Sequence, residues 1–151
     1  MKNWKSSVAG LLALLPCFAH ANHHVTTIPL EGGPAVYPEG IAYDSRTKTF
    51  YVTGSGDGSI QTVGPDGKAK IIQPSGTDGR VTALGIKVDE KRGRLHLTNG
   101  QRIYYVYDIK TNQLLKKHDI QDVLKDKEVG PAALNDMTFD DAGNALSLIH
   151  I

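Results

Sequence analysis

Two oxygen-bearing side chains occupy the same position in an internally repeated sequence. Glu39 and Asn135 each lie five residues before an aspartate that ends an apolar segment, and Leu84 holds that position in the intervening copy. Carboxylate and amide oxygens suit a hard divalent cation such as calcium, magnesium or manganese. If these segments are strands facing one axis, Glu39 and Asn135 predict a cation site there. The alternative is that each residue only forms a turn or cap where its strand begins.

The remaining candidate motifs have structural explanations. The single cysteine, Cys17, excludes disulfide frameworks and zinc sites made of four thiolates. His23 and His24 have no spaced partners for a metal, and we interpret them as a solvated tail. The glycine-rich segment 54–58 lacks the lysine of a phosphate-binding loop, so it predicts a hairpin. Three tyrosines in one segment could stack on a carbohydrate, but packing between sheets is the preferred interpretation; they are Tyr104, Tyr105 and Tyr107.

The elements that must position the two candidate ligands come from a repeat. The segment Gly40–Asp44 recurs as Gly85–Asp89, 45 residues later, and a third copy begins at Asn135–Asp140 with an offset of 51. The extra residues fall in the connection before the third copy, where an insertion costs little. Repeats of this length are typical of propellers and related arrays.

Each complete copy predicts four short strands joined by turns. Asp57-Gly58, Asp66-Gly67 and Asn99-Gly100 are typical hairpin dipeptides. Four antiparallel strands in ~45 residues correspond to one blade of a β-propeller, whereas a sandwich of short strands does not require an in-register repeat. The predicted strands are 41–43, 49–53, 59–63 and 68–73 in the first copy, and 84–88, 94–98, 102–107 and 114–120 in the second.

One segment between the second and third copies predicts a short helix. Asp119 is placed to cap it, Ile120, Val123 and Leu124 share one face, and Gly130-Pro131 would end it. We interpret this helix as a surface connection between blades.

These elements predict an all-β fold, an incomplete β-propeller of about two blades and the start of a third. Closed propellers contain about 4 to 8 blades, so residues 22–145 are expected to be the N-terminal part of such a domain. Residues 146–151 resemble the translation of a transposon-end adapter used in sequencing libraries, and we expect a non-native tail there. The alternative is that Leu146 and Leu148 continue the second strand of the third blade, with Leu146 in the position of Phe50.

Residues 1–21 have the layout of a secretory signal peptide. A lysine-containing start precedes the apolar segment Val8–Leu15, which is well short of the ~20 residues needed to span a bilayer. The small residues of Ala19-His20-Ala21 predict cleavage before Asn22. We therefore expect a periplasmic or extracellular protein without a membrane anchor after signal removal.

Composition excludes some partners. The chain has 17 Lys and Arg against 16 Asp and Glu, a formal net charge of +1, so charge gives no basis for a nucleic-acid partner. Hydrophobic residues make up 40% and charged residues 22%, as in ordinary globular proteins, and 16 glycines with 7 prolines indicate many turns.

The two candidate ligands lie in longer motifs. These are Tyr-Pro-Glu-Gly-Ile-Ala-Tyr-Asp at residues 37–44 and Leu-Asn-Asp-Met-Thr-Phe-Asp-Asp-Ala-Gly-Asn at residues 134–144. Both resemble segments of the senescence-marker-protein (regucalcin)/gluconolactonase family, over roughly residues 36–145. The resemblance implies a six-bladed propeller with a divalent cation, expected to be calcium, in its channel.

The same resemblance implies which residues hold the cation. Glu39 matches the family's ligand at the start of the first inner strand, and Asn135 matches the first of two asparagines. The other asparagine and an aspartate would lie beyond the end of this chain. The sequence departs from the family at Ile41-Ala42, where an aromatic residue is usual, and at Ala133, where some members carry a sugar-binding arginine.

These features predict a secreted, metal-dependent hydrolase of a sugar lactone or related ester, a gluconolactonase-like enzyme present here as an inactive fragment. The cation would polarise the carbonyl oxygen and position water, while the catalytic and substrate-binding residues are not identified by the sequence. The alternative is a non-catalytic secreted propeller that binds a small ligand or protein partner through its loops.

Overall fold

The computed structural model describes residues 25–122 and 133–150. In these ranges the chain forms ten β-strands in three antiparallel sheets, with three short 3₁₀ turns and no α-helix. The sheets have the strand orders β1-β2-β3-β4, β5-β6-β7-β8 and β10-β9. The prediction of an all-β, incomplete propeller is therefore confirmed. The strands are β1 (Pro38–Asp44), β2 (Thr49–Gly54), β3 (Ile60–Val63), β4 (Ala69–Gln73), β5 (Ile86–Asp89), β6 (Arg94–Thr98), β7 (Ile103–Asp108), β8 (Leu114–Asp119), β9 (Ala133–Phe139) and β10 (Ala145–His150).

The predicted strand bounds agree with the observed bounds to within three residues. The largest difference is in β1, which begins at Pro38 rather than Ile41. A register shift between these two residues extends the pairing with β2 past Glu39. This irregularity is typical of a β-bulge, which a sequence pattern of alternating residues does not reveal.

The predicted helix after the second blade is described only at its start. Ile120–Asp122 forms a 3₁₀ turn, and the Asp119 carboxylate accepts a hydrogen bond from the Gln121 amide at 2.9 Å, as expected of a cap. Residues 123–132 lie outside the described residues, as do the predicted leader and the two adjacent histidines. No helix in the described part of the chain is long and apolar enough to cross a bilayer.

The hairpins β1–β2 and β5–β6 have the same type of turn. In the first, Asp44 pairs with Thr49, and Lys48 adopts a left-handed conformation with φ of 54°. The equivalent residue of the second blade, Gly93, has φ of 64°. The turn therefore recurs with the repeat, and glycine is the residue that adopts its conformation at least cost.

The third hairpin is one residue shorter. Gly143 has φ of 90° three residues after the repeat's aspartate, and Phe139 pairs with Ala145. Leu146 lies in the second strand of the third sheet, as the alternative interpretation expected, but Ala145 takes the position of Phe50, and this slip of one residue moves Leu146 to the opposite face. Its side chain is 57% exposed. The non-native origin of residues 146–151 stays a prediction.

A threonine hydroxyl joins blade 1 to the inner strand of blade 2. Thr53 Oγ1 accepts a hydrogen bond from the Gly40 amide at 2.8 Å and donates one to the Leu84 carbonyl oxygen at 2.6 Å. A Cβ on Gly40 would lie 2.2 Å from that carbonyl oxygen, so the close approach requires glycine. The bridge fixes Leu84 relative to β1.

The same bridge recurs between blade 2 and the third sheet. Thr98 Oγ1 accepts a hydrogen bond from the Gly85 amide at 3.0 Å and donates one to the carbonyl oxygen of Asn135. A Cβ on Gly85 would lie 2.6 Å from the same oxygen. Because Thr53 and Thr98 are 45 residues apart, as the repeat requires, the two junctions place Leu84 and Asn135 at equivalent positions.

Apolar side chains form one buried cluster between blades 1 and 2. Tyr51 and Ile60 belong to blade 1. The rings of Tyr105 and Tyr107 are stacked with centroids 6.2 Å apart, which confirms that these tyrosines pack between sheets. Burial of apolar surface is the main favourable term that holds the blades together. The blade 2 members are Ile86, Leu95, Leu97, Tyr105 and Tyr107.

The opposite face of blade 1 repeats this apolar pattern but is open to solvent. Ile41, Tyr43 and Phe50 are 62%, 45% and 42% exposed. Their equivalents in blade 2 include Ile86 and Leu95, which are fully buried against blade 1. In a propeller this face packs against a neighbouring blade, so its exposure accords with an incomplete ring.

A buried arginine crosses the interface between blades 1 and 2. Arg80 donates hydrogen bonds from Nε to the Gly58 carbonyl oxygen and from Nη2 to the Gln73 side-chain oxygen, both at 2.8 Å. Its guanidinium also binds the Tyr107 hydroxyl and lies 5.5 Å from the centroid of that ring. Burial lowers the pKa of Arg80. Arg80 nevertheless stays protonated at neutral pH, and a buried charge needs partners in place of water. The hydrogen bonds to Gly58, Gln73 and Tyr107 supply them.

A buried histidine lies between blade 2 and β9. His96 Nδ1 forms a hydrogen bond with the Tyr104 hydroxyl, and its ring meets Phe139 edge-on with centroids 4.4 Å apart. Its Nε2 is buried and has no hydrogen-bond partner within the described residues. Burial is the main reason that the pKa of His96 falls to about 4. The neutral ring is therefore the form that packs at this junction.

We predict that Thr98→Val destabilises the fold by about 1 kcal/mol, because the Gly85 amide and the Asn135 carbonyl lose their shared hydroxyl and keep only their direct hydrogen bond of 3.2 Å. Thr98→Ser keeps the hydroxyl and is the matched control. Urea unfolding monitored by circular dichroism measures the difference, and equal stability of the two variants would contradict the bridging role.

We also predict that stability decreases in mild acid through His96. The unfolded chain binds this proton with a pKa near 6.5, above the folded value of about 4, so the contribution is complete above pH 6.5 and is lost as the pH falls toward 4. The expected loss near pH 5 is about 1 to 2 kcal/mol. Urea midpoints at pH 7.5 and pH 5 should converge in His96→Gln but not in the exposed control His118→Gln. A His96→Gln variant with the wild-type pH dependence would refute this assignment.

Candidate metal centre

The candidate cation ligands lie where the inner strands begin. Glu39 is in β1 directly before Gly40, and Asn135 is in β9. The threonine bridges hold the carbonyls of Leu84 and Asn135 at equivalent points of successive blades. The repeat places Glu39 at the corresponding point of β1. The three positions therefore belong to one end of the inner strands.

The two candidate ligands have side chains that are available for a further contact. Glu39 is exposed and Asn135 is partly exposed. Within residues 25–122 and 133–150, neither side chain takes part in a hydrogen bond or ion pair. The third position, Leu84, offers no oxygen from its side chain, so blade 2 supplies no ligand at this register.

Asp136 adds a carboxylate beside Asn135 that sequence reasoning did not assign to the site. Its Oδ2 atom forms a salt bridge with Lys87 Nζ at 3.0 Å. Its Oδ1 atom is buried and has no hydrogen-bond partner in the described part of the chain. The Asp136 side chain as a whole is 51% exposed, so the carboxylate stays hydrated through its other oxygen, and Oδ1 is the atom that a cation or water would compensate. The Asn-Asp pair in the sequence was the available indication of this oxygen.

The donor set fits a hard cation by its chemistry, because a carboxylate and an amide bind calcium through oxygen. Across the described residues, no group of three or more His, Cys, Asp or Glu side chains lies close enough to hold a metal. A site at this position thus depends on amide oxygens and on ligands from outside the described blades. The salt bridge with Lys87 neutralises the Asp136 carboxylate. Of the two carboxylates at this end of the strands, Glu39 is therefore the one without an ion-pair partner in the described part of the chain.

An unusual backbone conformation lies two residues before Glu39. Tyr37 has φ of 45° and ψ of 75°, and its side chain is 65% exposed. Its carbonyl oxygen accepts hydrogen bonds from the Ser55 amide at 3.0 Å and the Ser55 hydroxyl at 2.9 Å. Sequence reasoning missed Tyr37, since no local pattern indicates a left-handed tyrosine.

Two other sequence interpretations are resolved by the structure. The glycine-rich segment 54–58 connects β2 to β3, with φ of 72° at Gly58, so the hairpin prediction is confirmed. Tyr104 bonds His96 on one face of blade 2, whereas Tyr105 and Tyr107 face blade 1. Tyr105 and Tyr107 are buried and therefore not available as a carbohydrate platform.

Comparisons with known proteins show the fold but not a family. No family model matches the chain, and no curated protein matches it. Among solved structures, the hydrazine synthase of Kuenenia stuttgartiensis aligns with a TM-score of 0.56 at 18% identity, covering 84% of this chain and 31% of that one. A chain of a mitotic checkpoint complex aligns with a TM-score of 0.50 at 11% identity, covering 91% and 40%.

A gluconolactonase from Xanthomonas campestris is also similar, with a TM-score of 0.49 at 24% identity, covering 74% of this chain and 34% of that one. The chain thus spans about a third of the length of the solved chains it matches. The alignments with the hydrazine synthase and the mitotic checkpoint chain show a shared fold, and at these identities none of the similarities assigns an activity.

Proposed function

We propose that this chain supplies the first blades of a secreted, metal-dependent hydrolase that acts on a sugar lactone or related ester. Glu39 and Asn135 are two of the ligands of a divalent cation, calcium in the first instance. The observation that carries the proposal is the register of the inner strands, because the repeated threonine bridges set Asn135 at the point equivalent to Leu84 and, through the repeat, to Glu39.

The charges around these residues support a cation rather than an anion. Glu39 is an exposed carboxylate without an ion-pair partner among the described residues, and Asp136 keeps one buried oxygen without a donor. Lys87 is already paired with Asp136. The Asp136–Lys87 pair carries no net charge, so the Glu39 carboxylate gives this end of the strands its negative charge, which favours a divalent cation over an anion.

The cation, when bound, supplies Lewis-acid polarisation of the lactone carbonyl and orientation of the attacking water. The residues of this chain hold it and orient the substrate. His96 is not available as a general base, because its ring is buried between blade 2 and β9 and its low pKa reflects that burial. The general base is therefore a residue at the strand ends or in further blades.

Export would place the protein where calcium is plentiful. The predicted leader at residues 1–21 directs it to the periplasm or outside the cell, and no membrane or nucleic-acid partner is required. A small lactone or other sugar-derived molecule is the proposed ligand.

A non-catalytic propeller that binds a small ligand or protein through the same end is the second candidate. Ala133 favours it, since this residue stands where some members of the resembling family carry a sugar-binding arginine. Binding without turnover would require only the fold and the cation.

We predict that Glu39→Gln in the full-length propeller weakens calcium binding roughly tenfold or more and slows lactone hydrolysis in parallel, because one charged ligand is lost. Isothermal titration calorimetry with calcium and a pH-stat assay with glucono-δ-lactone measure the two effects. Asp141→Asn removes an exposed carboxylate at the β9–β10 turn and is the matched control.

The outcomes separate the two candidates. Unchanged calcium affinity and rate in Glu39→Gln would dismiss the site. Calcium binding that depends on Glu39, without turnover of any lactone by the wild-type protein, would favour the binding propeller.

A further inference from the structure

Tyr37 is held in a conformation that an aromatic residue rarely adopts. Its φ of 45° lies in the left-handed region, which is unfavourable for residues with bulky side chains. Such outliers persist only where the surrounding structure enforces them, and they cluster at ligand sites. The feature to explain is why a tyrosine stands here rather than the glycine or asparagine that this backbone prefers.

The loop between β2 and β3 enforces this conformation. The Ser55 amide and hydroxyl both donate to the Tyr37 carbonyl oxygen, and the Gly56 amide donates to the Val36 carbonyl oxygen at 3.1 Å. A Cβ on Gly56 would lie 2.1 Å from the Ala35 carbonyl oxygen and 2.6 Å from Tyr37 Cδ2. The aromatic ring thus lies directly over a glycine that leaves room for it.

The conformation displays the ring instead of burying it. The Tyr37 side chain is 65% exposed, and its hydroxyl forms no hydrogen bond within the described residues. The residue directly precedes β1 and stands two positions before Glu39, at the end of the inner strands that carries the candidate ligands. Packing therefore does not account for the strain, since the ring buries little surface.

We propose that Tyr37 is a stacking platform for the ring of a sugar-derived ligand at this end of the inner strands. The apolar face of the tyrosine contacts the C–H face of a pyranose or lactone ring, and the free hydroxyl can bond a sugar hydroxyl. The identity of the ligand rests on the proposed function. Tyr37 is then a specificity-determining residue that binds ligand without taking part in the chemical step.

The first test uses the strain itself. Tyr37→Gly removes the ring and relieves the left-handed conformation, so the thermal midpoint should stay the same or rise. In the full-length propeller, KM for glucono-δ-lactone should increase about tenfold with little change in kcat, because the ring contributes equally to substrate and transition state. Tyr37→Phe keeps the ring and should retain most of the affinity. A Tyr37→Gly variant that loses stability while KM is unchanged would show a structural role and overturn the proposal.

The second test does not require turnover. The one tryptophan of this chain, Trp4, lies in the predicted leader, so Tyr37→Trp gives residues 22–151 a single tryptophan, at the proposed platform. Glucono-δ-lactone and the non-hydrolysable 1,5-anhydroglucitol should each cause a saturable change in its emission. Leu115→Trp in the protein with Tyr37 intact, on the outermost strand of blade 2, is the control and should not respond.

The outcomes distinguish this proposal from the proposed function. Saturable binding at position 37 without lactone turnover supports the platform and contradicts the hydrolase. Normal turnover and calcium affinity with no response of the tryptophan at position 37, or an equal response at position 115, overturns the platform and leaves the hydrolase intact. No response and no turnover contradicts both.

Discussion

The hydrogen bond from a strand-ending threonine to the next inner strand is the constraint on which the other features depend. The hydroxyls of Thr53 and Thr98 each accept a hydrogen bond from the amide of a glycine in their own blade and donate one to a carbonyl oxygen of the following blade. A buried carbonyl left without this donor would carry a desolvation penalty. Glycine at positions 40 and 85 is required because any Cβ would displace that carbonyl oxygen.

From this constraint follow the core and the candidate site. The bridges set the height at which successive sheets stack, so that apolar residues of blade 2 meet Tyr51 and Ile60 of blade 1. They also set one end of every inner strand at a common level. The backbone position of Asn135, for example, is set partly by Thr98 of the preceding blade, which bonds its carbonyl oxygen. The candidate site and the junction between blades therefore depend on the same hydrogen bonds.

Much of the fold was predictable because the repeat and the turn residues are local. The strands Thr49–Gly54 and Arg94–Thr98 follow from alternation and from the dipeptides Asp57-Gly58 and Asn99-Gly100 that come after them. The shorter third turn was not predicted, although Gly143 stands one position earlier than Gly93 in the repeat. That single displacement reverses the face of Leu146 and shows how strongly register depends on turn geometry.

The contacts between blades could not be predicted, because they depend on residues distant in sequence. Three buried polar groups acquire their environments only when the sheets stack: the guanidinium of Arg80, His96 Nε2 and Asp136 Oδ1. The last two have no hydrogen-bond partner within the described residues. The candidate ligands Glu39 and Asn135 were identified from register and resemblance, yet Tyr37 was not. Its conformation is imposed by a loop 18 residues away in sequence.

The central claim is that Glu39 and Asn135 share one cation at the end of the inner strands. Crystals of the full-length propeller grown with calcium, and measured near a wavelength at which calcium scatters anomalously, test it directly. The account predicts one anomalous peak about 2.3 to 2.6 Å from both a Glu39 carboxylate oxygen and the Asn135 side-chain oxygen. A peak that contacts neither residue, or the absence of calcium from this end of the strands at saturating concentration, would contradict it.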